Sequence, residues 1–226
     1  MVIGKGMLAK AFCFYEQDEN IILFASGVSN SKETKEEEFL KELNLLKKCL
    51  VDFPNKKIIY FSTCSIYDNY LSDTKYVIHK KNIEKFIIDN FNLYYIFRLP
   101  IVVGETKNEN TLFNFFKNSL KKNEPIKIQK DAYRYLIDVN DLVCVISNIL
   151  ANNSNKSIIM NICYDNKISV FNLVDLMKKE IKSNSKVNLI NGGSNYDVNN
   201  FDFLNNIDKK EDLEKYNLKL IRKYIK

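Results

Sequence analysis

The stretch that decides the fold is Met1-Val2-Ile3-Gly4-Lys5-Gly6-Met7-Leu8-Ala9, at the start of a 226-residue chain. A short apolar run leads into Gly4-x-Gly6-x-x-Ala9, and residues 9–15 are predicted to form a helix. Glycines at a strand–helix junction let the backbone turn tightly and approach a pyrophosphate, whose charge the helix N-terminus favours. The motif is short, so its place between a strand and a helix favours a dinucleotide-binding turn over a structural glycine turn.

Strand and helix patterns alternate along the rest of the chain. Apolar runs typical of buried strands lie at residues 21–25, 57–61, 93–97 and 158–162. Helical spacing marks residues 33–50, with the helix opening at Ser31 or Lys32, and also 75–90, 112–120, 139–150, 169–181 and a Lys-rich tail from Asp208. This alternation predicts an α/β fold with a mainly parallel, Rossmann-like sheet, shortened after the first βα unit. We expect the sheet domain in residues 1–103 and a small α/β substrate lobe in residues 104–226, with some of its elements returning to the sheet.

Composition excludes several classes of protein. Hydrophobic residues make up 46% and charged residues 27%, which is ordinary for a globular protein and unlike a disordered one. No apolar run approaches the roughly 18 residues of a membrane span. The net charge of +6 rests on dispersed lysines with only three arginines, so we expect no nucleic-acid partner. A strand begins directly at Met1 and the five cysteines include no CxxC, so we expect a reduced, cytoplasmic compartment. A single histidine excludes a multi-His metal site.

Two groups of polar residues are candidates for catalysis. Tyr76 and Lys80 lie four residues apart, hence on one face of a helix, and a nearby ammonium helps a phenol to exchange a proton near neutral pH. The chain has 13 tyrosines and many lysines, so this spacing also arises by chance. Its interest comes from the preceding strand, which ends in Ser62-Thr63-Cys64-Ser65. His79 lies within the same turn, and we expect it to point away from the site.

Two arginines follow predicted strands. Arg98 precedes Leu99-Pro100, and Arg134 precedes a helix that begins near Val139. Arginines at strand ends beside a sheet bind phosphate groups or serve as structural residues, and the sequence leaves both alternatives open.

Taken in order, these motifs resemble the extended short-chain dehydrogenase/reductases, specifically the sugar-nucleotide epimerases, dehydratases and ketoreductases. The resemblance runs from Gly4 to about Lys178. It implies an enzyme that uses NAD or NADP, with Thr63, Tyr76 and Lys80 as the catalytic group. In that family the tyrosine exchanges a proton with the sugar, the lysine holds the nicotinamide ribose and the threonine bonds the sugar oxygen.

The resemblance also implies two sets of binding residues. The cofactor set is Gly4, Gly6, Met7, Leu8, Ala25, Ser26, Gly27, Tyr76, Lys80, Leu99 and Pro100. The substrate set is Thr63, Cys64, Ser65 and Arg134, with Arg134 on the diphosphate of a nucleotide-activated sugar. Relatives of this kind dimerise through a four-helix bundle, so we expect a homodimer through the helices near 33–50 and 76–90.

Two departures from the family pattern bear directly on the expected activity. Only residues 7–24 separate Gly6 from Ala25, where the family has a second strand, a helix and a third strand that hold the adenosine half of the cofactor. Cys64-Ser65 stands where dehydratases of the family have Asp-Glu, which disfavours dehydration. We therefore expect a 4-ketoreductase or epimerase of surface-polysaccharide synthesis. The alternative is a cofactor-deficient relative that binds a sugar nucleotide or serves as a partner subunit.

Overall fold

The computed structural model of the protein describes residues 1–152, 156–204 and 213–226. The strands, numbered in chain order, are β1 (Val2–Ile3), β2 (Ile21–Phe24), β3 (Lys57–Thr63), β4 (Tyr94–Leu99), β5 (Ile101–Val103), β6 (Ile126–Gln129), β7 (Tyr133–Arg134), β8 (Leu136–Asp138), β9 (Ile158–Asn161), β10 (Ile168–Ser169) and β11 (Val187–Ile190). The α-helices are α1 (Met7–Ala11), α2 (Glu36–Asp52), α3 (Lys75–Asn90), α4 (Leu112–Lys121), α5 (Val139–Asn152), α6 (Val170–Ile181), α7 (Phe201–Leu204) and α8 (Leu213–Tyr224). Of the predicted tail helix, residues 208–212 lie outside the described ranges.

A five-stranded parallel sheet in the order β1-β2-β3-β4-β9 forms the centre of the fold, which confirms the predicted α/β class. Its strands are buried on both faces, as parallel strands between helices are. One face packs on α1 and α5, and the other packs on α2 and α3. The last strand, β9, comes from the second half of the chain and pairs with β4.

The sheet ends at β1, because β2 is its direct neighbour and no further strand of the described residues pairs with it. A carboxylate closes part of this open edge, since the Val2 N–H donates to Glu16 Oε2 at 3.2 Å. A doubly wound sheet would continue beyond β1 with the strands that hold an adenosine. The predicted shortening is therefore located at this edge.

The connection between β1 and β2 has an unusual hand. It crosses on the face that holds α1, whereas the connection from β2 to β3 crosses on the face that holds α2. Both connections lead to the next strand in the same direction across the sheet. Because they cross on opposite faces, the two crossover connections have opposite handedness. Nearly all short βαβ connections share one hand, and strands beyond β1 would restore it.

Two predicted helices have wrong bounds. The helix expected over 9–15 is instead α1 followed by a 3-10 turn at Cys13–Tyr15, because Phe12 leaves helical geometry and buries its ring against the sheet. The helix expected to open at Ser31 or Lys32 begins at Glu36. Before it, the Glu33 carboxylate accepts from the N–H groups of Thr34 and Lys35, which holds this segment outside the helix.

A second group of elements packs beside the sheet around its own core. Its strands form three short pairs: β5 with β8, β6 with β11, and β7 with β10. The core between them is filled by apolar residues of α4, α6 and α8. Among the residues that the structure describes, no helix is both long and apolar enough to cross a membrane.

Candidate functional site

Parallel pairing brings the candidate residues to one edge of the sheet. The register aligns Ile3 with Phe24 and Thr63 with Leu99, so the strands β1 to β4 all end at this carboxyl edge. In open α/β sheets ligands bind at the carboxyl ends of the strands. The predicted cofactor segments Gly4–Leu8, Ala25–Gly27 and Leu99–Pro100 therefore follow strand ends at the same edge, together with Thr63.

The glycine turn after β1 is tight on one side and open on the other. Gly4 has a φ of +136°, and a Cβ there would lie 2.4 Å from the Ala25 carbonyl oxygen, so only glycine fits. Gly6 caps α1, and a Cβ on it would meet nothing within 4 Å. Behind the turn, Met7 Sδ packs against Gly104, and Leu8 packs on the sheet core. The open side at Gly6 is the surface that a pyrophosphate could approach.

Thr63 ends β3 and caps the 3-10 turn Cys64–Tyr67. Its Oγ1 accepts from the Ser65 N–H at 3.1 Å. Cys64 is buried, and its thiol donates to the Arg98 carbonyl at 3.3 Å. Cys64 therefore packs beneath the edge, while Thr63 keeps its hydroxyl at the end of the strand.

Tyr76 and Lys80 lie on the first turns of α3, whose start is capped by the Thr74 hydroxyl accepting from the Val77 N–H. Both side chains are buried, and the Lys80 ammonium lies 6.0 Å from the centre of the Tyr76 ring. Lys80 Nζ donates to Tyr60 Oη at 2.8 Å and to Glu42 Oε1 at 3.1 Å. The structure thus brings the Tyr–Lys pair together and adds two partners that the sequence did not single out.

Glu42, on the inner face of α2, is the centre of this cluster. Its carboxylate accepts from four donors: Tyr60 Oη at 2.6 Å, Val28 N at 2.7 Å, His79 Nε2 at 2.9 Å and Lys80 Nζ at 3.1 Å. Burial alone would raise the pKa of Glu42, but the charge of Lys80 and the hydrogen bonds outweigh burial and lower the pKa to about 2. Burial, and next the Glu42 charge, raise the pKa of Tyr60 well above its usual value.

The expectation that His79 points away from the site is wrong. Its side chain is 10% exposed, bonds to Glu42 and packs against Phe39, with the two tilted rings 4.6 Å apart between centroids. His79 and Lys80 are consecutive residues of α3, and both side chains reach the same buried carboxylate. The acid on α2, which a sequence cannot pair with α3, draws His79 inward.

Gly27, one of the predicted cofactor residues, lies directly over the cluster. A Cβ at this position would be 2.7 Å from Lys80 Nζ and 2.8 Å from Glu42 Oε1. The loop after β2 therefore covers the Lys80 ammonium, and a Cβ at Gly27 would require Lys80 or Glu42 to shift.

Arg98 has a structural role at the next strand end. Its guanidinium binds both oxygens of Glu84 at distances from 2.6 to 3.2 Å, and its Nη1 donates to Tyr67 Oη at 2.7 Å. Glu84 also accepts from the Ser62 hydroxyl at 2.5 Å. Of the two alternatives that the sequence left open, the structural one describes Arg98, because Glu84 occupies its planar donor face.

Arg134 on β7 belongs to a hydrogen-bond chain that connects the two parts of the molecule through Ser194. Its Nη1 donates to the Tyr133 carbonyl at 2.6 Å and to Ser194 Oγ at 3.1 Å. Ser194 Oγ in turn donates to Asp68 Oδ2 at 2.6 Å, and Asp68 is 1% exposed. The segment that follows Gly193 is thus fastened to the loop that follows the 3-10 turn Cys64–Tyr67.

Two cavities open beside this connection. A cavity of about 390 Å³ is lined by residues 67–70 and 194–197. A second one, of about 470 Å³, is lined by Tyr67, Arg98, Ile159, Asn161, Asn199, Asp202 and Phe203. Tyr67 stands between them and bonds to Asn161 Oδ1 at 3.1 Å. Three tyrosine rings and many hydrogen-bonding groups around the first cavity suit a polar ring such as a sugar.

Sequence reasoning missed Glu42, Glu84 and Asp68. A signal for Glu42 was present, because it lies three residues after Phe39 and four before Leu46 on the apolar face of α2. An acid on an inward face requires a buried partner. For Asp68 no such periodic signal exists, because it lies in a loop.

The sequence matches no protein-family model and no curated protein. Solved structures do match. MoeE5 in complex with UDP-glucose and NAD has a TM-score of 0.73 at 13% identity, over 96% of this chain and 83% of that chain. A UDP-N-acetylglucosamine 4-epimerase from Methanobrevibacter ruminantium M1, in complex with UDP-N-acetylmuramic acid, has a TM-score of 0.68 at 16% identity, over 95% and 78%. The UDP-glucose 4-epimerase of Thermus thermophilus, in complex with NAD, has a TM-score of 0.67 at 14% identity, over 96% and 80%.

These matches define the class of fold. The chain has the Rossmann-like α/β fold of these nucleotide-sugar enzymes, which confirms the predicted fold. NAD or a nucleotide sugar is present in the compared structures just described, and it belongs to those proteins.

Proposed function

We propose that this protein modifies a nucleotide-activated sugar with NAD or NADP as cofactor, as a 4-ketoreductase or an epimerase of surface-polysaccharide synthesis. The observation that carries the proposal is the gathering of Thr63, Tyr76 and the open glycine turn at one sheet edge. That edge adjoins a polar cavity whose rim connects through Ser194 to Arg134. An enzyme of this kind needs a proton-transfer group, a cofactor surface and a diphosphate ligand in one cleft.

The proton-transfer group is the Tyr76 phenol. It lies at the start of α3, which packs against the 3-10 turn that Thr63 caps, so Tyr76 and Thr63 belong to adjoining elements. Thr63 Oγ1 orients a sugar oxygen by hydrogen bonding, and Tyr76 Oη gives or takes the proton of that oxygen. Cys64 is buried and Ser65 is a neutral hydroxyl, so no acid pair stands beside Thr63 for removal of water.

The cofactor residues fit one part of a dinucleotide better than the other. Gly4 and Gly6 form a turn whose outer side is open at Gly6, so they would hold the pyrophosphate. No strand among the described residues lies beyond β1 to hold the adenosine. When bound, the nicotinamide would supply the hydride for a reduction, or accept a hydride and return it for an epimerisation.

The substrate residues are Arg134 and the walls of the cavity near Ser194. Arg134 uses its Nη1 for hydrogen bonds to Tyr133 and Ser194. The other N–H groups of its planar guanidinium are suited to the diphosphate of a sugar nucleotide. The tyrosines of the cavity supply flat apolar surfaces and hydroxyls for the sugar ring.

The test is turnover of sugar nucleotides by a Tyr76→Phe variant. UDP-glucose, UDP-N-acetylglucosamine and their 4-keto derivatives are assayed for epimerisation and for oxidation of NADH or NADPH. Loss of the phenolic proton should lower kcat roughly 100-fold or more. Tyr94→Phe is the matched control, because Tyr94 lies at the opposite end of β4 and should keep wild-type turnover. Equal turnover of wild type and Tyr76→Phe contradicts the proposal.

A second candidate function is that of a cofactor-deficient sugar-nucleotide binder or partner subunit. Two observations favour it: the sheet ends at β1, and the Lys80 ammonium is engaged by Glu42 and covered by Gly27. The two candidates differ in one measurement, because only the enzyme binds NADH or NADPH.

We also propose a homodimer through α2 and α3. These helices pack side by side on one face of the sheet and expose Leu40, Ile78 and Ile88. Light scattering after gel filtration measures the mass, and Ile88→Lys should shift a dimer to the monomer. A wild-type monomer at micromolar concentration contradicts this part of the proposal.

A further inference from the structure

The Lys80 ammonium has three protons and is engaged on two sides. One partner is the Glu42 carboxylate at 3.1 Å and the other is the Tyr60 hydroxyl at 2.8 Å. The side chains of Lys80 and Glu42 are 3% and 1% exposed. A buried pair of opposite charges holds its partners firmly, because separating them leaves each charge without compensation.

The same carboxylate also fixes the loop that covers Lys80. Glu42 Oε2 accepts from the Val28 N–H at 2.7 Å, immediately after Gly27. Gly27 in turn is so close that a Cβ there would lie within 2.8 Å of both charged groups. Any ligand that reaches Lys80 from the carboxyl edge must therefore displace this loop or draw Lys80 away from Glu42.

We propose that Glu42 is the positioning residue that determines whether Lys80 is available to a ligand at the carboxyl edge. This inference rests on the proposed function, since the ligand would be the ribose hydroxyls of a nicotinamide dinucleotide. Glu42 competes with the ribose for the ammonium and holds the loop 26–28 closed. Only molecules in which Lys80 is released then bind the dinucleotide. The measured affinity therefore equals the intrinsic affinity multiplied by the fraction of molecules in that state.

The chain contains a matched control on α3 itself. Glu84, one turn after Lys80, is also buried and also pairs with a cation, but its partners are Arg98 and Ser62. Replacing Glu84 disturbs a buried ion pair on the same helix without touching Lys80. A general loosening of the fold would therefore affect the Glu84→Gln and Glu42→Gln variants alike, and release of Lys80 would affect only the second.

The first readout is equilibrium binding of NADH and NADPH to wild type, Glu42→Gln and Glu84→Gln. Glutamine keeps the size of the side chain and removes the charge that holds Lys80. We expect Glu42→Gln to bind at least one dinucleotide about tenfold more tightly, and Glu84→Gln to bind as wild type or more weakly. A purely structural role of Glu42 predicts no gain.

The second readout needs no cofactor. Acetylation of Lys80 by N-hydroxysuccinimidyl acetate is followed by mass spectrometry, with the exposed neighbour Lys81 as internal reference. We expect the ratio of Lys80 to Lys81 labelling to rise about fivefold in Glu42→Gln and to stay unchanged in Glu84→Gln. Glu42→Asp keeps the charge but moves it away by one methylene, so it should give an intermediate ratio of Lys80 to Lys81 labelling. If Glu42→Gln does not fold, Glu42→Asp takes its place in the experiment.

The two readouts separate the possible failures. If Lys80 labelling rises in the Glu42 variants but no variant binds NADH or NADPH, the control of Lys80 stands and the proposed cofactor is wrong. If the dinucleotide binds equally to wild type and Glu42→Gln, and Lys80 labelling is unchanged, the inference is overturned while the proposed function stands.

Discussion

At the β3–β4 end of the carboxyl edge, a buried carboxylate is paired with a half-buried guanidinium, whereas at the β1 end the chain presents a backbone turn with few side-chain contacts. Glu84 receives three hydrogen bonds from Arg98 and one from Ser62. Gly6, by contrast, has nothing within 4 Å of the place where a side chain would begin. Between these extremes, Glu42 and Lys80 form a buried pair under the loop that follows β2.

The contrast separates two kinds of site. Where polar groups satisfy one another, they stabilise the fold and leave little capacity for a ligand. Where a turn is open, it adds little to stability and can accept a ligand. Substitutions at the β3–β4 end should therefore lower the free energy of unfolding strongly and change dinucleotide binding little. Substitution of Gly6 should change stability little and weaken dinucleotide binding strongly.

The largest effect on stability is expected for Glu84→Gln. The variant leaves the Arg98 charge without its partner, which costs about 3 kcal/mol of stability. This cost is at the low end for buried ion pairs, because the Arg98 side chain is 22% exposed. The weakened hydrogen bond of Ser62 adds roughly 1 kcal/mol. Urea unfolding should show a loss of about 4 kcal/mol in the free energy of unfolding. A loss below about 1 kcal/mol would mean that this end is no better paired than an ordinary surface.

The next effect is an acid-dependent loss of stability at Glu42. Its pKa is about 2 in the folded protein against an ordinary value of 4.5, so the unfolded chain takes up the proton first as the pH falls. The stabilisation is complete above pH 4.5 and disappears as the pH falls toward 2. At about 1.36 kcal/mol for each pKa unit it amounts to about 3 kcal/mol in total. Unfolding between pH 6 and pH 3 should show wild type losing about 2 kcal/mol more than Glu42→Gln; parallel curves contradict the buried pairing.

The smallest effects distinguish the two glycines of the turn. Gly4→Ala forces a positive φ on alanine and places its Cβ against the Ala25 carbonyl, so it should cost roughly 2 kcal/mol. Gly6→Ala has space and a φ of −76°, so thermal unfolding should change by less than about 0.5 kcal/mol. Equal losses in both variants would show that the turn is not open on its outer side.

The sequence predicted the parts of the molecule that depend on local pattern. Apolar runs located β2, β3 and β4, and the short interval between Gly6 and Ala25 predicted the missing strands beyond β1. The pairings of Glu42 with Lys80 and of Glu84 with Arg98 could not be predicted, because each joins residues from elements far apart in the chain. The structural role of Arg98 and the inward position of His79 depend on such pairings, so the sequence alone could not predict them.

The most direct test of the account is calorimetric titration of wild type and Gly6→Ala with NADH and NADPH. The account predicts saturable, micromolar binding of one dinucleotide to wild type, weakened about tenfold or more in Gly6→Ala, whose methyl group would keep a pyrophosphate from the backbone. A folded wild-type protein that binds neither dinucleotide up to millimolar concentration would contradict the account. The shared fold would then serve a sugar-nucleotide binder without redox chemistry.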